Sequence, residues 1–205
     1  MSTAPKFPPH DLAPWAEVAP GAPLYMTMAE FLDYPDGDDG YCYELVEGVL
    51  VRMVGTRPRA GRISRRLYDE LSPYVKAHGL GTVTQPDEVY DFENSGQKDT
   101  GLLPDVGFYD ASRETLVDPD KAYPFAPDLA VEVASPTQYR PGMKAKAERY
   151  LAGGTALVWV VWPKRQQVDV WRPGNTAPAT LATGDTLDGE DVVAGFTYPV
   201  AGLFI

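Results

Sequence analysis

Ala156-Leu157-Val158-Trp159-Val160-Val161-Trp162 is an unbroken apolar run, and it constrains the fold more than any other segment. It is too short for a membrane helix, which needs about 20 apolar residues. It also lacks the polar face that a surface helix or edge strand would show. β-Branched and aromatic residues dominate it, so it reads as a strand buried on both faces. Such a strand needs a layer of structure on each side, which points to an α/β fold with a mixed central sheet. In Gln167–Trp171, Val168 and Val170 alternate with Asp169 and Trp171, and this segment should return antiparallel beside the buried strand.

The remaining elements follow from local signals. Thr27 and Glu30 have capping-box spacing, which opens a short helix through Leu32. Tyr41–Leu45 and Val49–Met53 flank a glycine turn and read as a hairpin, with Asp36–Gly40 a loop before it. Ile63, Leu67, Leu71 and Tyr74–Val75 recur at helical spacing, predicting a helix from about Arg59 to His78, with Pro73 inside it and Gly79 as its stop. Strands are expected at Val83–Phe92, Val106–Tyr109 and Leu129–Ala134. Glu93–Leu102 reads as a loop, Gly142–Leu151 as a second helix, and Thr180–Ile205 as short strands and turns. Residues 1–23, rich in proline and alanine, read as an extended arm, with order beginning near Tyr25 and a single domain over 24–205.

The chain of 205 residues is long enough for one sizeable core. Its net charge of −11 argues against a protein that coats nucleic acid electrostatically. No apolar run is long enough to span a membrane, and the first residues lack a secretory h-region, so the expected location is cytoplasmic. Cys42 is the only cysteine, which excludes an internal disulfide and a cysteine zinc site. With only His10 and His78 as candidate bases, Cys42 reads as a structural strand residue.

One strand carries a conflict. In Asp128-Leu129-Ala130-Val131-Glu132-Val133-Ala134, period two places Glu132 between Ala130 and Ala134 on one face and leaves the larger apolar residues on the other. A carboxylate in such a strand needs a partner, either a cation of the protein or a metal, because burying it unpaired costs several kcal/mol. Asp105, after Pro104, stands at the entry of another apolar strand, where a simple turn is the alternative. Lys146 lies at the edge of the buried stripe of the second helix, four residues from Tyr150. It either reaches a carboxylate or is solvated. Glu44, read alone, is a solvent-facing strand glutamate. Together, two carboxylates on neighbouring strands with an adjacent lysine suit a Mg²⁺ site for phosphodiester hydrolysis.

These residues, in this order, resemble the Uma2 family, a branch of the PD-(D/E)XK nuclease superfamily. The resemblance runs from about Met26 to Phe204. It is carried by Met26–Leu32, Tyr43–Leu50, Pro104-Asp105-Val106, Val131–Pro136, Lys146–Tyr150, Val158–Pro163 and Gly195–Val200. It implies a restriction-endonuclease-like mixed sheet flanked by helices, with Asp105 and Glu132 as metal ligands and Mg²⁺, or Mn²⁺ in its place, as cofactor. The lysine expected two residues after the glutamate is replaced by Ala134, which makes Lys146 the candidate, and Glu44 matches an acidic residue joining from the first hairpin. A homodimer is also implied. Two positions depart from the family pattern: Ala60 stands where a histidine is usual, and Gly142 where an aspartate is usual.

Arg57, Arg59, Arg62, Arg65 and Arg66 form the only strong basic cluster in this acidic chain. Arg62 and Arg66 share a helix face with Arg59 nearby, while Ile63 and Leu67 face the core. The functional reading is phosphate contact near the metal site, and the alternative is a solvated face pairing with Asp69 and Glu70. The leading expectation is therefore a metal-dependent endonuclease with DNA as substrate. A catalytically inactive nuclease-fold module that binds nucleic acid or protein is the second reading, motivated by the net charge, Ala60 and Gly142.

Overall fold

The computed structural model describes residues 14–15, 17–34, 42–53 and 57–205. In chain order the strands are β1 (Glu17–Val18), β2 (Cys42–Val46), β3 (Val49–Met53), β4 (Gly81–Thr84), β5 (Tyr90–Asp91), β6 (Gly101–Leu102), β7 (Val106–Asp110), β8 (Leu129–Val133), β9 (Leu157–Trp162), β10 (Gln167–Trp171), β11 (Ala179–Leu181), β12 (Thr186–Asp188) and β13 (Thr197–Pro199). Three α-helices accompany them: α1 (Met28–Leu32), α2 (Pro58–His78) and α3 (Arg140–Ala152). The fold is mixed α and β, as expected.

The main sheet runs β11-β10-β9-β8-β7-β4, with β8 and β9 parallel and every other neighbouring pair antiparallel. All six residues of β9 are buried. A central strand covered on both faces has no use for a polar residue, which is why its apolar run is continuous. The α3 crossover joins β8 to β9, as a parallel pair requires.

Period two divides β8 between two cores. Leu129, Val131 and Val133 pack on the α2 side, against Ile63, Leu67 and Leu71. Ala130 and Ala134 face the other core, with Met143, Ala147 and Tyr150 of α3. Each large side chain buried there contributes about 1.5–3 kcal/mol. Helix α2 begins with Pro58 at its first turn and ends at Gly79, whose φ of 64° satisfies the left-handed cap. Pro73 lies on its exposed side and leaves the helix unbroken to His78.

A second sheet, β1-β3-β2-β6-β5, covers the α3 side, and β12 pairs with β13 near the end of the chain. The capping box at Thr27 is present, with Glu30 accepting from the Thr27 N–H at 2.7 Å. The loop expected at Asp36–Gly40 and residue Tyr41 lie outside the described residues.

The described part of the expected arm, 14–15 and 17–23, departs from the sequence reading, while residues 1–13 and 16 lie outside the described residues. Order does not begin near Tyr25, because Glu17 and Val18 already pair with Arg52 and Val51, and Trp15 is only 5% exposed. A two-residue strand carries no periodicity, and its pairing edge comes from β3. The 93–102 segment also holds more structure than a loop, a turn of 3-10 helix at Glu93–Ser95 and strand β6. Among the described residues, no helix is long and apolar enough to cross a membrane.

Candidate active site

The register of β7 on β8 assembles the carboxylates. Val106 pairs with Val131, so Asp105, one residue earlier, falls across from Glu132, one residue later. A bond from the Val133 N–H to Asp105 Oδ2, at 2.6 Å, ties the aspartate to the neighbouring strand. Lys146 reaches the same place from α3. Its Nζ lies 2.9 Å from Glu132 Oε1 and 3.0 Å from Glu44 Oε1. The Tyr150 hydroxyl, one helical turn on, donates to Glu132 Oε1 at 2.8 Å. The structure therefore brings Glu44, Asp105, Glu132 and Lys146 together.

Two of these side chains sit differently from what the residues alone suggest. Glu44 does not face solvent; it is fully buried. The Leu103 N–H donates to its Oε1 at 2.9 Å and the Trp15 indole N–H to its Oε2 at 3.1 Å. Lys146 is neither solvated nor at the edge of its stripe, but is buried, with 1% of its side chain exposed. Burying an ammonium costs several kcal/mol. At an effective dielectric near 20, one ion contact at about 3 Å returns about 5 kcal/mol, so two carboxylates offset the burial.

The acids do not share their oxygens equally. Both oxygens of Glu44 are engaged. In Glu132, Lys146 and Tyr150 both contact Oε1, and among the described residues Oε2 has no partner. In Asp105, Oδ2 takes the backbone bond and, among the described residues, Oδ1 has no partner. Asp105, Glu132 and Lys146 line one cleft of about 400 Å³, whose rim includes Cys42, Asp87 and Arg57. Cys42 is exposed there, with its Sγ 3.3 Å from Asp87 Oδ1.

Electrostatics follow from this crowding. Burial pushes the Glu132 carboxyl up to about 8; Lys146 pulls it back, while Asp105 and Glu44 raise it further. Burial also raises Asp105, opposed by the Val133 N–H and Lys146. For Lys146, burial favours loss of the proton, but Glu132 and Glu44 outweigh it and the ammonium is held above its ordinary value. Burial, followed by the nearby glutamates, keeps Tyr150 a neutral phenol, hence a donor.

Ionised together, the three acids would face a single ammonium, so their full ionisation calls for further positive charge. Among the described residues, no three His, Cys, Asp or Glu side chains converge to hold a metal alone. The donor set that does exist is one unengaged oxygen each on Asp105 and Glu132, at the wall of a cleft. That fits a hard cation such as Mg²⁺, which keeps several waters and takes one or two protein carboxylates.

The sequence model of the Uma2 family, described as "Putative restriction endonuclease", matches residues 28–201. The chain belongs to the Uma2 family. No functionally curated protein matches it. Among solved structures, it resembles a putative nuclease belonging to DUF820 from Anabaena variabilis ATCC 29413, with a TM-score of 0.73 and 20% identity over 87% of this chain and 97% of that one. At that identity the likeness speaks for the fold. Membership of Uma2 places the chain in a nuclease-type family.

The two departures from the Uma2 pattern have definite surroundings. Ala60 is buried at the side of the cleft. Gly142 lies under the N-terminal segment, where a Cβ would sit 2.9 Å from the Pro14 carbonyl oxygen. The basic cluster is divided. Arg57 reaches the cleft, Arg59 and Arg62 line adjoining pockets, Arg65 pairs with Asp69, and Arg66 donates to the Gly202 carbonyl at 2.9 Å. Sequence reasoning took Tyr150 for core and missed Trp15. The spacing of Tyr150 from Lys146 was a usable signal; Trp15 offered none.

Proposed function

We propose that this chain is a divalent-metal-dependent endonuclease that hydrolyses phosphodiester bonds in DNA. The observation that carries the reading is the pair of unengaged oxygens on Asp105 and Glu132, set beside a lysine buried against Glu132. Mg²⁺, with Mn²⁺ able to replace it, would be held by Asp105 and Glu132. When bound, such a cation supplies Lewis acidity at the phosphate and makes water a stronger nucleophile.

The protein groups divide the remaining work. Lys146 stands beside Glu132 to orient the attacking water and to offset charge that develops on the phosphate. Glu44, with both oxygens committed, positions Lys146 rather than meeting substrate. Tyr150 fixes the Glu132 rotamer. Arg57, Arg59, Arg62 and Arg66 offer contacts to the phosphate backbone. A homodimer belongs to the same proposal, and analytical ultracentrifugation reads it directly.

Asp105→Asn and Glu132→Gln should abolish Mg²⁺-dependent cleavage of plasmid and oligonucleotide DNA; wild-type rates in either variant would sink the assignment. An inactive nuclease-fold binding module is the second reading, favoured by the complete burial of Lys146. It predicts nucleic-acid binding indifferent to Mg²⁺, with no cleavage.

A further inference from the structure

One pocket adjoins the candidate cleft, and a second adjoins that pocket. The larger, about 740 Å³, shares Arg57, Ala60, Ser135 and Gln138 with the cleft wall, so the two lie side by side. The smaller, about 460 Å³, shares Pro58, Arg59 and Pro163 with the larger. Among the described residues, no Asp or Glu lines either pocket. Among the described residues, Arg57, Arg59, Arg62, Arg66, Lys164 and Arg165 make no ion pair, and all of them line these pockets. Lys76 is the one other unpaired cation described. In a chain of net charge −11, the free positive charge is thus gathered on one track leading from the cleft.

The larger pocket is more than a basic surface. Its walls include Pro136, Pro141, Pro163, Ala134 and Tyr139, and Tyr139 keeps 54% of its surface exposed. Trp162 is already faced by two guanidinium groups, Arg140 at 5.3 Å and Arg165 at 5.8 Å from its ring centre. Tyr139 is therefore the aromatic left for a ligand. Gln138 accepts from the Ser135 N–H through its side-chain carbonyl at 2.7 Å, which leaves its amide group as a donor. A duplex presents phosphates outward and hides its bases, so it could use the cations but not fill an apolar recess. An unpaired nucleotide brings both a phosphate and an apolar base face.

We infer that the strand this site takes is single-stranded or locally unpaired, with a base next to the scissile phosphate seated on Tyr139 in the larger pocket. This rests on the nuclease reading for the scissile phosphate, but the binding claim is separable from it.

The test is fluorescence anisotropy with full-length Glu132→Gln, without divalent metal, using a labelled 20-nucleotide DNA as single strand and as duplex, and the same sequence as single-stranded RNA. Single strands should bind about tenfold more tightly than duplex. Tyr139→Ala should weaken single-strand binding about tenfold and leave duplex binding unchanged, with Tyr139→Phe restoring it. Arg59→Ala and Arg165→Ala should weaken both and lower the salt dependence. Equal or tighter duplex binding, no binding of any probe, or an inert Tyr139→Ala would overturn the inference. Tight single-strand binding without cleavage by wild type in Mg²⁺ or Mn²⁺ would instead sink the nuclease reading and leave this one standing. Preference for DNA over RNA, or the reverse, identifies which strand the track serves.

Discussion

Replacing Lys146 by Met tests the electrostatic account of the site with little change of volume. The ammonium holds Glu132 at 2.9 Å and Glu44 at 3.0 Å, and all three groups are buried. Removing one partner of a buried ion pair costs about 3–5 kcal/mol. The cost depends on pH, because carboxylates can escape it by taking a proton. Glu132 is raised to about 8 with the lysine present. A group raised in the folded state contributes stability fully present below its unfolded value, and that contribution is lost as pH rises through the folded value. Without Lys146, which pulls Glu132 down, that value moves higher and the decline runs further. The variant should therefore lose about 3–5 kcal/mol near pH 8.5 and distinctly less near pH 5, where Glu132 is protonated. Urea unfolding followed by tryptophan fluorescence at several pH values measures this. A loss that is the same at pH 5 and pH 8.5, or below about 1 kcal/mol at pH 8.5, would refute the reasoning.

Mg²⁺ or Mn²⁺ should bind more tightly as pH rises toward 8 and release a proton on binding, since Glu132 must ionise; calorimetry in buffers of different ionisation enthalpy counts that proton, and Glu132→Gln should abolish the heat. Glu44→Gln should retain metal binding, because neither Glu44 oxygen is available, yet cost about 1.5–3 kcal/mol in stability through its charge-assisted bonds. Loss of metal binding at unchanged stability would make Glu44 a ligand instead. Gly142→Asp should dislodge Pro14 and Trp15, seen as faster proteolysis of the N-terminal segment; unchanged cleavage kinetics would show that the helix accommodates the side chain.

Much of the fold could be read from period and composition. The continuous apolar run became the central strand β9, and the alternation in Leu129–Ala134 correctly separated Glu132 from the α2 side. Glu44 and Lys146 were harder for a physical reason. Alternation in a hairpin says which residues share a face, but not what covers that face, and the cover over Glu44 comes from Trp15, Leu103 and α3, all distant in sequence. A helical stripe drawn from apolar residues omits a lysine by construction. The observed stripe, Gly142, Met143, Lys146, Ala147 and Tyr150, takes in Lys146, which lies one turn before Tyr150. The N-terminal strand β1 was invisible because a two-residue pairing is decided by its partner.

The contact from Trp15 to Glu44 also has a meaning in time. The indole and the carboxylate leave the ribosome well before Lys146, which follows Glu44 by more than a hundred residues. Glu44 has no cation to meet until α3 docks, and Asp105 and Glu132 have no shared wall until β7 and β8 pair. No growing fragment short of α3 can carry the assembled site, so the chemistry proposed for it is withheld from the cell until α3 has been made and has docked.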